Sequence, residues 1–204
     1  MFRFNSYILT FLAFITLQGT SHFVHAQTRY VELTDSIFRV GDKFNAHFVI
    51  RFTLGPKLQL GNERCVHVDE EQIDHFDRFI AFLKERKNLI VEIGSHTDFR
   101  GNPLSNIDLS RRRAEFIKNC FIDSGVDSSQ LVAKGYGSSQ PRTVYRCGSE
   151  YFIAPPQVDS LSCDSVQLTN AYISSHRYSK VLFERLHQFN RRIEFKIVGV
   201  LGEE

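Results

Sequence analysis

The chain has almost no surplus of either charge. It carries 25 lysines and arginines against 23 aspartates and glutamates, a formal net charge of +2. A balance this close to zero gives no electrostatic reason to expect nucleic acid or an anionic membrane surface as a partner. Long apolar runs are scarce too. Tyr7–Ile15 is too short to span a bilayer comfortably as a permanent helix, and no second run reaches spanning length. No cysteine precedes Cys65, so a lipid-modified N-terminus is not expected. The eight histidines show no helical pair and no clustered spacing, which argues against a metal site, and no cofactor is implied. Neither a Ser-His-Asp nor a Cys-His arrangement can be argued. Paired carboxylates for hydrolysis are missing from the candidate site described below, so an enzyme is not expected. There is no internal repeat and no low-complexity tract.

What the first 26 residues do contain is an export signal. Arg3 supplies a positive start, Tyr7–Ile15 an apolar centre, and Val24-His25-Ala26 the small residues read by a signal peptidase. Cleavage after Ala26 leaves about 180 residues, enough for one domain with a proper core. The retained product is expected to be soluble in the periplasm. All four cysteines, Cys65, Cys120, Cys147 and Cys163, survive that cut. An oxidising compartment permits disulfides, and four cysteines allow three pairings. Cys147 with Cys163 is favoured because both lie in one irregular stretch and a short loop closes at low entropic cost. Cys120, beside the apolar positions of a helix, reads as an inert buried thiol.

Residues 27–66 read as a strand-rich extension, with β-formers at Tyr30–Leu33, Ile37–Val40 and Phe48–Phe52. Asp69 and Gln72 form a capping box for an amphipathic helix through Ile73, Phe76, Phe79, Ile80 and Leu83, ending near Asn88. Leu89–Ile93 is a strand. Asn102-Pro103 starts a second helix, with Ile107, Ala114, Ile117 and Phe121 as its buried stripe and Gly125 as its stop. A turn at Asp127–Gln130 leads to a strand over Leu131–Gly137. Residues 138–175 look irregular. Helical spacing returns from His176 to about Gln188, through Val181, Leu182 and Leu186, and Arg191–Val198 alternates as a closing strand. Strand and helix alternation of this kind predicts an α/β fold.

The most informative run is Val91 to Arg113: an apolar strand, a tight polar turn and a long helix. Asp98 in the turn and Arg113 on the helix place an anion and a cation at a fixed separation. Such a pair suits a ligand with both an ammonium and a carboxylate, the free amino-acid end of a larger molecule. Asp98 would accept from the ammonium, and the Arg113 fork would take the carboxylate in a way lysine could not. The turn before the second helix adds free backbone N–H groups and a positive dipole end. The competing account has Asp98 capping the turn and Arg113 pairing with it. Arg111 and Arg112 read as a solvated helix face, His96 as a hydrogen-bonded histidine at a strand end, and Tyr136 as packing.

These residues resemble the OmpA C-terminal-like family, which also includes peptidoglycan-associated lipoproteins and flagellar stator proteins. The resemblance runs through His96-Thr97-Asp98, Gly101, Asn106, Leu109-Ser110, Arg113-Ala114, Gly125-Val126, Gly135-Tyr136-Gly137, Pro141 and Asn190-Arg191-Arg192. It implies a two-layer α/β sandwich with a mixed sheet in β-α-β-α-β-(insert/α)-β order, over residues 67–199 with an insert at 138–187. It implies non-covalent binding of peptidoglycan through the diaminopimelate of the stem peptide, as a periplasmic tether or positioning module. Asp98 and Arg113 would hold the ligand. Asn106 would line the same pocket, beside Thr97 and Leu109, with Arg191 nearby. An outer-membrane or envelope protein is the further partner to expect. The alternative is a protein-interaction module on the same fold that uses the insert and no longer binds the wall. The chain departs from the family at Ser95, usually glycine, at Phe99, where a small polar residue is common, at Arg51–Gly55, and in the length of its insert.

Overall fold

The structure is a computed structural model that describes residues 29–44, 70–154 and 162–201. The expected signal segment, the strand at 48–52, the Asp69 cap and Cys65 lie outside these. In chain order the elements are β1 (Tyr30–Val31), β2 (Lys43–Phe44), α1 (Glu70–Glu85), β3 (Leu89–His96), α2 (Pro103–Asp123) and β4 (Leu131–Gly137). Then come β5 (Thr143–Cys147), β6 (Glu150–Phe152), β7 (Asp164–Gln167), α3 (Asn170–Ser175), α4 (Lys180–Asn190) and β8 (Arg192–Val200). Five strands form a mixed sheet in the order β1-β2-β8-β3-β4, and three more form a second sheet in the order β6-β5-β7. The fold class is thus the expected α/β one. Among the described residues no helix is long and apolar enough to cross a membrane.

The main core follows from two periodicities. In β3 and β8, alternate residues point to one face, and Val91, Ile93, Phe195 and Ile197 are all buried there. The antiparallel register sets Ile93 opposite Phe195 and Val91 opposite Ile197. On α1, Phe76, Phe79 and Leu83 recur at helical spacing and meet Ala114, Ile117 and Phe121 of α2 in the same core. The Phe79 ring lies 4.6 Å from that of Phe195 and 4.9 Å from that of Phe44, so the first helix is fixed to the sheet by aromatic contacts.

α2 sits unusually close to β4. A side chain on Gly135 would meet the backbone nitrogen of Arg111 at 2.3 Å, so only glycine allows this approach. Ser110 locks the contact: its Oγ accepts from Gly137 N at 2.8 Å and donates to Ile107 O at 2.8 Å. The register of α2, and with it the direction of Arg113, is set here.

Several expectations need correction. Ile37–Val40 is not a strand: Asp42 accepts from Arg39 N at 2.8 Å, Gly41 turns at φ +101°, and a loop wins over β propensity. Ile107 is exposed, and polar Asn106 and Ser110 take the buried places on α2. The described part of 138–175 is not wholly irregular. It contains β5, β6, β7 and α3, with a second core of Val144, Tyr151, Leu168, Ile173 and Leu186. The last helix begins at Lys180 rather than His176, which caps α3, and Val181 is 82% exposed. Cys147 and Cys163 are joined as a disulfide that ties β5 to the start of β7. Cys120 is buried on α2.

Candidate ligand-binding site

The turn between β3 and α2 is rigid because its polar groups are almost all used. Thr97 N donates to Gly137 O at 2.8 Å, holding the strand end against β4. Asp98 Oδ1 accepts from Arg100 N at 3.0 Å, the local turn that an aspartate favours. Asn106 reaches back from α2, and its Nδ2 donates to Asp98 O at 3.2 Å and to Arg100 O at 3.0 Å. Asn102 caps α2 by accepting from Leu104 N at 2.8 Å and Ser105 N at 3.3 Å. Those amides are therefore taken, which corrects the expectation of free N–H groups for a ligand.

Asp98 Oδ2 sits under two guanidinium groups. Arg100 Nη2 donates to it at 2.6 Å and Arg191 Nη1 at 2.7 Å. Both arginines also hold Glu184 of α4: Arg100 Nη1 reaches Oε2 at 2.8 Å and Arg191 Nη2 reaches Oε1 at 2.8 Å. His187, one turn further along α4, is buried with its Nδ1 4.0 Å from Asp98 Oδ2. That nitrogen has no hydrogen bond. Burial opposes ionisation of Asp98, but hydrogen bonds from Arg100 and Arg191 outweigh it and hold the carboxyl below its ordinary range. Arg113 is half-buried. Desolvation, then the like charge of Arg191, lowers its pKa, while Asp98 acts in the opposite direction.

The residues singled out in the sequence thus fall into one place. Asp98 forms the floor, Arg191 and Arg113 are in its electrostatic field, and Asn106 and Thr97 fix its backbone. Leu109 is half-buried on α2, one turn before Arg113 and on the same side. Asp98 fills the turn-capping role of the competing account. Sequence reasoning missed Arg100, Glu184 and His187. A signal existed: Glu184, His187 and Arg191 stand three and four apart, the spacing of one helix face. Phe99 also finds its reason, since it packs against the second core and couples the turn to the insert.

Arg111 and Arg112 are exposed and paired to Asp108 and Glu115 on their own helix. Asn190 is structural and buried. It accepts from Arg142 N at 2.8 Å and donates to Leu168 O at 2.9 Å. His96 differs from expectation. It is buried and stacked on Tyr136 at 4.9 Å, and neither ring nitrogen has a hydrogen-bond partner. Burial, then the charge of Arg192, lowers its pKa to about 3. Tyr136 packs as expected and also donates to Glu92 at 2.5 Å.

The class so far defined is an α/β fold, a helix-backed mixed sheet with an ion-pair cluster at the end of one strand. Residues 66–151, less than half of the chain, match the OmpA family. The peptidoglycan-associated lipoprotein of Pasteurella multocida (strain Pm70) is 32% identical over 75 residues, 37% of this chain and 50% of that protein. Outer membrane porin F of Pseudomonas fluorescens is 43% identical over 60 residues, 29% of this chain and 18% of the porin. The aligned part is thus half or less of either relative. The solved peptidoglycan-associated lipoprotein of Burkholderia pseudomallei overlaps 64% of this chain and 79% of its own at 17% identity, with a TM-score of 0.38, too slight a likeness to argue from.

Proposed function

We propose that this domain binds peptidoglycan non-covalently through the diaminopimelate of the stem peptide, as an exported tether or positioning module of the cell envelope. The observation that carries this is the meeting of a nearly buried carboxylate, Asp98, with the guanidiniums of Arg113 and Arg191 at one strand end. Diaminopimelate offers an ammonium to the first and a carboxylate to the second. Arg191 would lend Arg113 a second fork, with Asn106 and Thr97 keeping the floor in register and Leu109 flanking it. The match of residues 66–151 to the OmpA family supports the same ligand class, as does a relative whose name marks it as peptidoglycan-associated. Chain segments 1–26, 27–66 and 67–199 keep their proposed parts as signal, extension and binding domain.

Sedimentation with purified sacculi tests this. Asp98→Ala and Arg113→Ala should each lose most binding while the fold persists, because removing one partner of a desolvated charge pair costs roughly 2–5 kcal/mol. Arg113→Lys should also bind poorly, since the planar fork is lost. Undiminished sedimentation of both alanine variants would remove the site from consideration. A second reading, docking of an envelope protein on the insert, is favoured by Tyr178 and Val181, which are 79% and 82% exposed. Under that reading wild type itself fails to sediment.

A further inference from the structure

The ionic network holds one more anion than recognition of an amino-acid end requires. Asp98 and Glu184 face each other across two arginines, and each carboxylate takes nitrogen donors from both. The two anions are not equivalent. The side chain of Asp98 is 8% exposed and that of Glu184 is 44% exposed, so Asp98 forms the floor and Glu184 the rim. Their origins differ as well. Asp98 comes from the turn at the end of β3, whereas Glu184 comes from α4, within the insert that sets this chain apart.

A ligand carboxylate seeking Arg100 or Arg191 finds Glu184 already there. It must displace Glu184 or sit beside it as a like charge, and both lower its affinity. A carboxamide meets neither obstacle: it carries no charge, and its oxygen can still accept from a guanidinium. We propose that Glu184 is a built-in competitor for the ligand's carboxylate, so that the site discriminates between free-acid and amidated ends of its ligand. This rests on the diaminopimelate assignment above. The competitor is removable. Its backbone is held by Leu186 in the second core and by the Asn190 hydrogen bonds, while its own side chain lies at the rim and can leave by rotation without moving the helix. Arg100, whose side chain is 40% exposed, can swing with it and open one side of Asp98 Oδ2 to an ammonium, with Arg191 staying on the other.

The test is titration calorimetry of the exported full chain with a stem tripeptide ending in meso-diaminopimelate, whose single free amino-acid end is the acid, and with the monoamide at that end, for wild type and Glu184→Gln. The substitution keeps the size of the side chain and removes the charge. Binding of the free acid should tighten about threefold to tenfold, a range set by partial exposure of the pair, while the monoamide changes much less. Glu184→Ala should move in the same direction. Equal changes for both ligands would overturn the inference and leave the site assignment standing. Weaker binding of the free acid by Glu184→Gln would also overturn it, because Glu184 would then be positioning the arginines. Absence of binding by wild type and by both variants would overturn the diaminopimelate assignment itself, and the inference with it.

Discussion

The main sheet and the insert are stabilised by different means. Among the described residues, 18 buried apolar side chains join α1, α2 and the face of β3 and β8 into one core, much of it phenylalanine in edge-to-face contact. The insert buries five, too few to balance the entropy of ordering its chain, which costs roughly 1–2 kcal/mol per residue. It relies on other devices: a disulfide between β5 and β7, the Asn190 hydrogen bonds, and Phe99 borrowed from the turn of the main domain. Dependence therefore runs one way. The main sheet can stand without the insert, whereas the insert needs the main sheet. The candidate site lies where the two meet, with its floor on the stable side and its rim on the dependent side.

The sharpest test of this asymmetry is Phe79→Ala. It should lower stability by about 3–5 kcal/mol. Urea unfolding followed by far-UV circular dichroism should show the insert lost together with the main sheet, since it has nothing else to rest on. Survival of a structured insert would break the comparison.

Reduction of the Cys147–Cys163 disulfide should have a smaller and local effect. The bridge closes a loop with a sequence separation of 16, for which about 3 kcal/mol is typical. Limited proteolysis of reduced protein should cut within 138–175, while hydrogen exchange in β3 and β8 stays slow. If β3 exchange rises as much as that of β5, the two regions are one cooperative unit.

The most gradual effect is graded with pH and centres on His96 of the main sheet. His96 has a folded pKa of about 3 against an ordinary 6.5. Below pH 6.5 the unfolded chain takes up a proton that the folded chain excludes, so stability falls as pH drops towards 3, by up to about 1.4 kcal/mol per pH unit. Asp98, held below its ordinary range, adds a loss of the same sign once the unfolded carboxylate begins to protonate. His96→Phe keeps the stack on Tyr136 and removes the titration. Urea midpoints from pH 7 to pH 4 should flatten in that variant, and an unchanged slope would show that His96 is not the source.

The part of the molecule that could be read from its residues is the part built on regular periodicity. The Phe76, Phe79 and Leu83 stripe, the Asn102-Pro103 start of α2 and the alternation through Ile193, Phe195 and Ile197 all appear where spacing placed them. The insert misled because its strands are only three to five residues long, and β7 pairs with β5 across an intervening loop. Short polar strands carry little period of their own. In the site, Asp98 and Arg113 stand within one continuous run and could be paired by eye. Arg100 stands two residues from Asp98 but carries no period to mark it, Arg191 reaches Asp98 only across 93 residues, and Glu184 joins them from an element whose start was misplaced. Ile107 fell outside the core because it packs over Gly137 of β4 at the exposed edge of the α2–β4 contact, while Ser110 takes the closest approach at Gly135.

Asn190 gives the insert an economy of attachment. The excursion leaves the main domain at Arg142 and returns at Asn190, and the amide of one donates to the side chain of the other at 2.8 Å. Leu168 is fastened at the same point, its N–H donating to Arg142 O at 2.8 Å and its carbonyl accepting from Asn190. Entry and exit of the loop are thus a single hydrogen bond apart, and the flanking strands see no difference between a long detour and a tight reversal. The segment is a cassette in the sense used for domain insertions. Replacing 143–189 by a short turn should leave β4 and β8 in place, whereas the excised piece would lose Phe99 and the Asn190 hydrogen bonds that hold it.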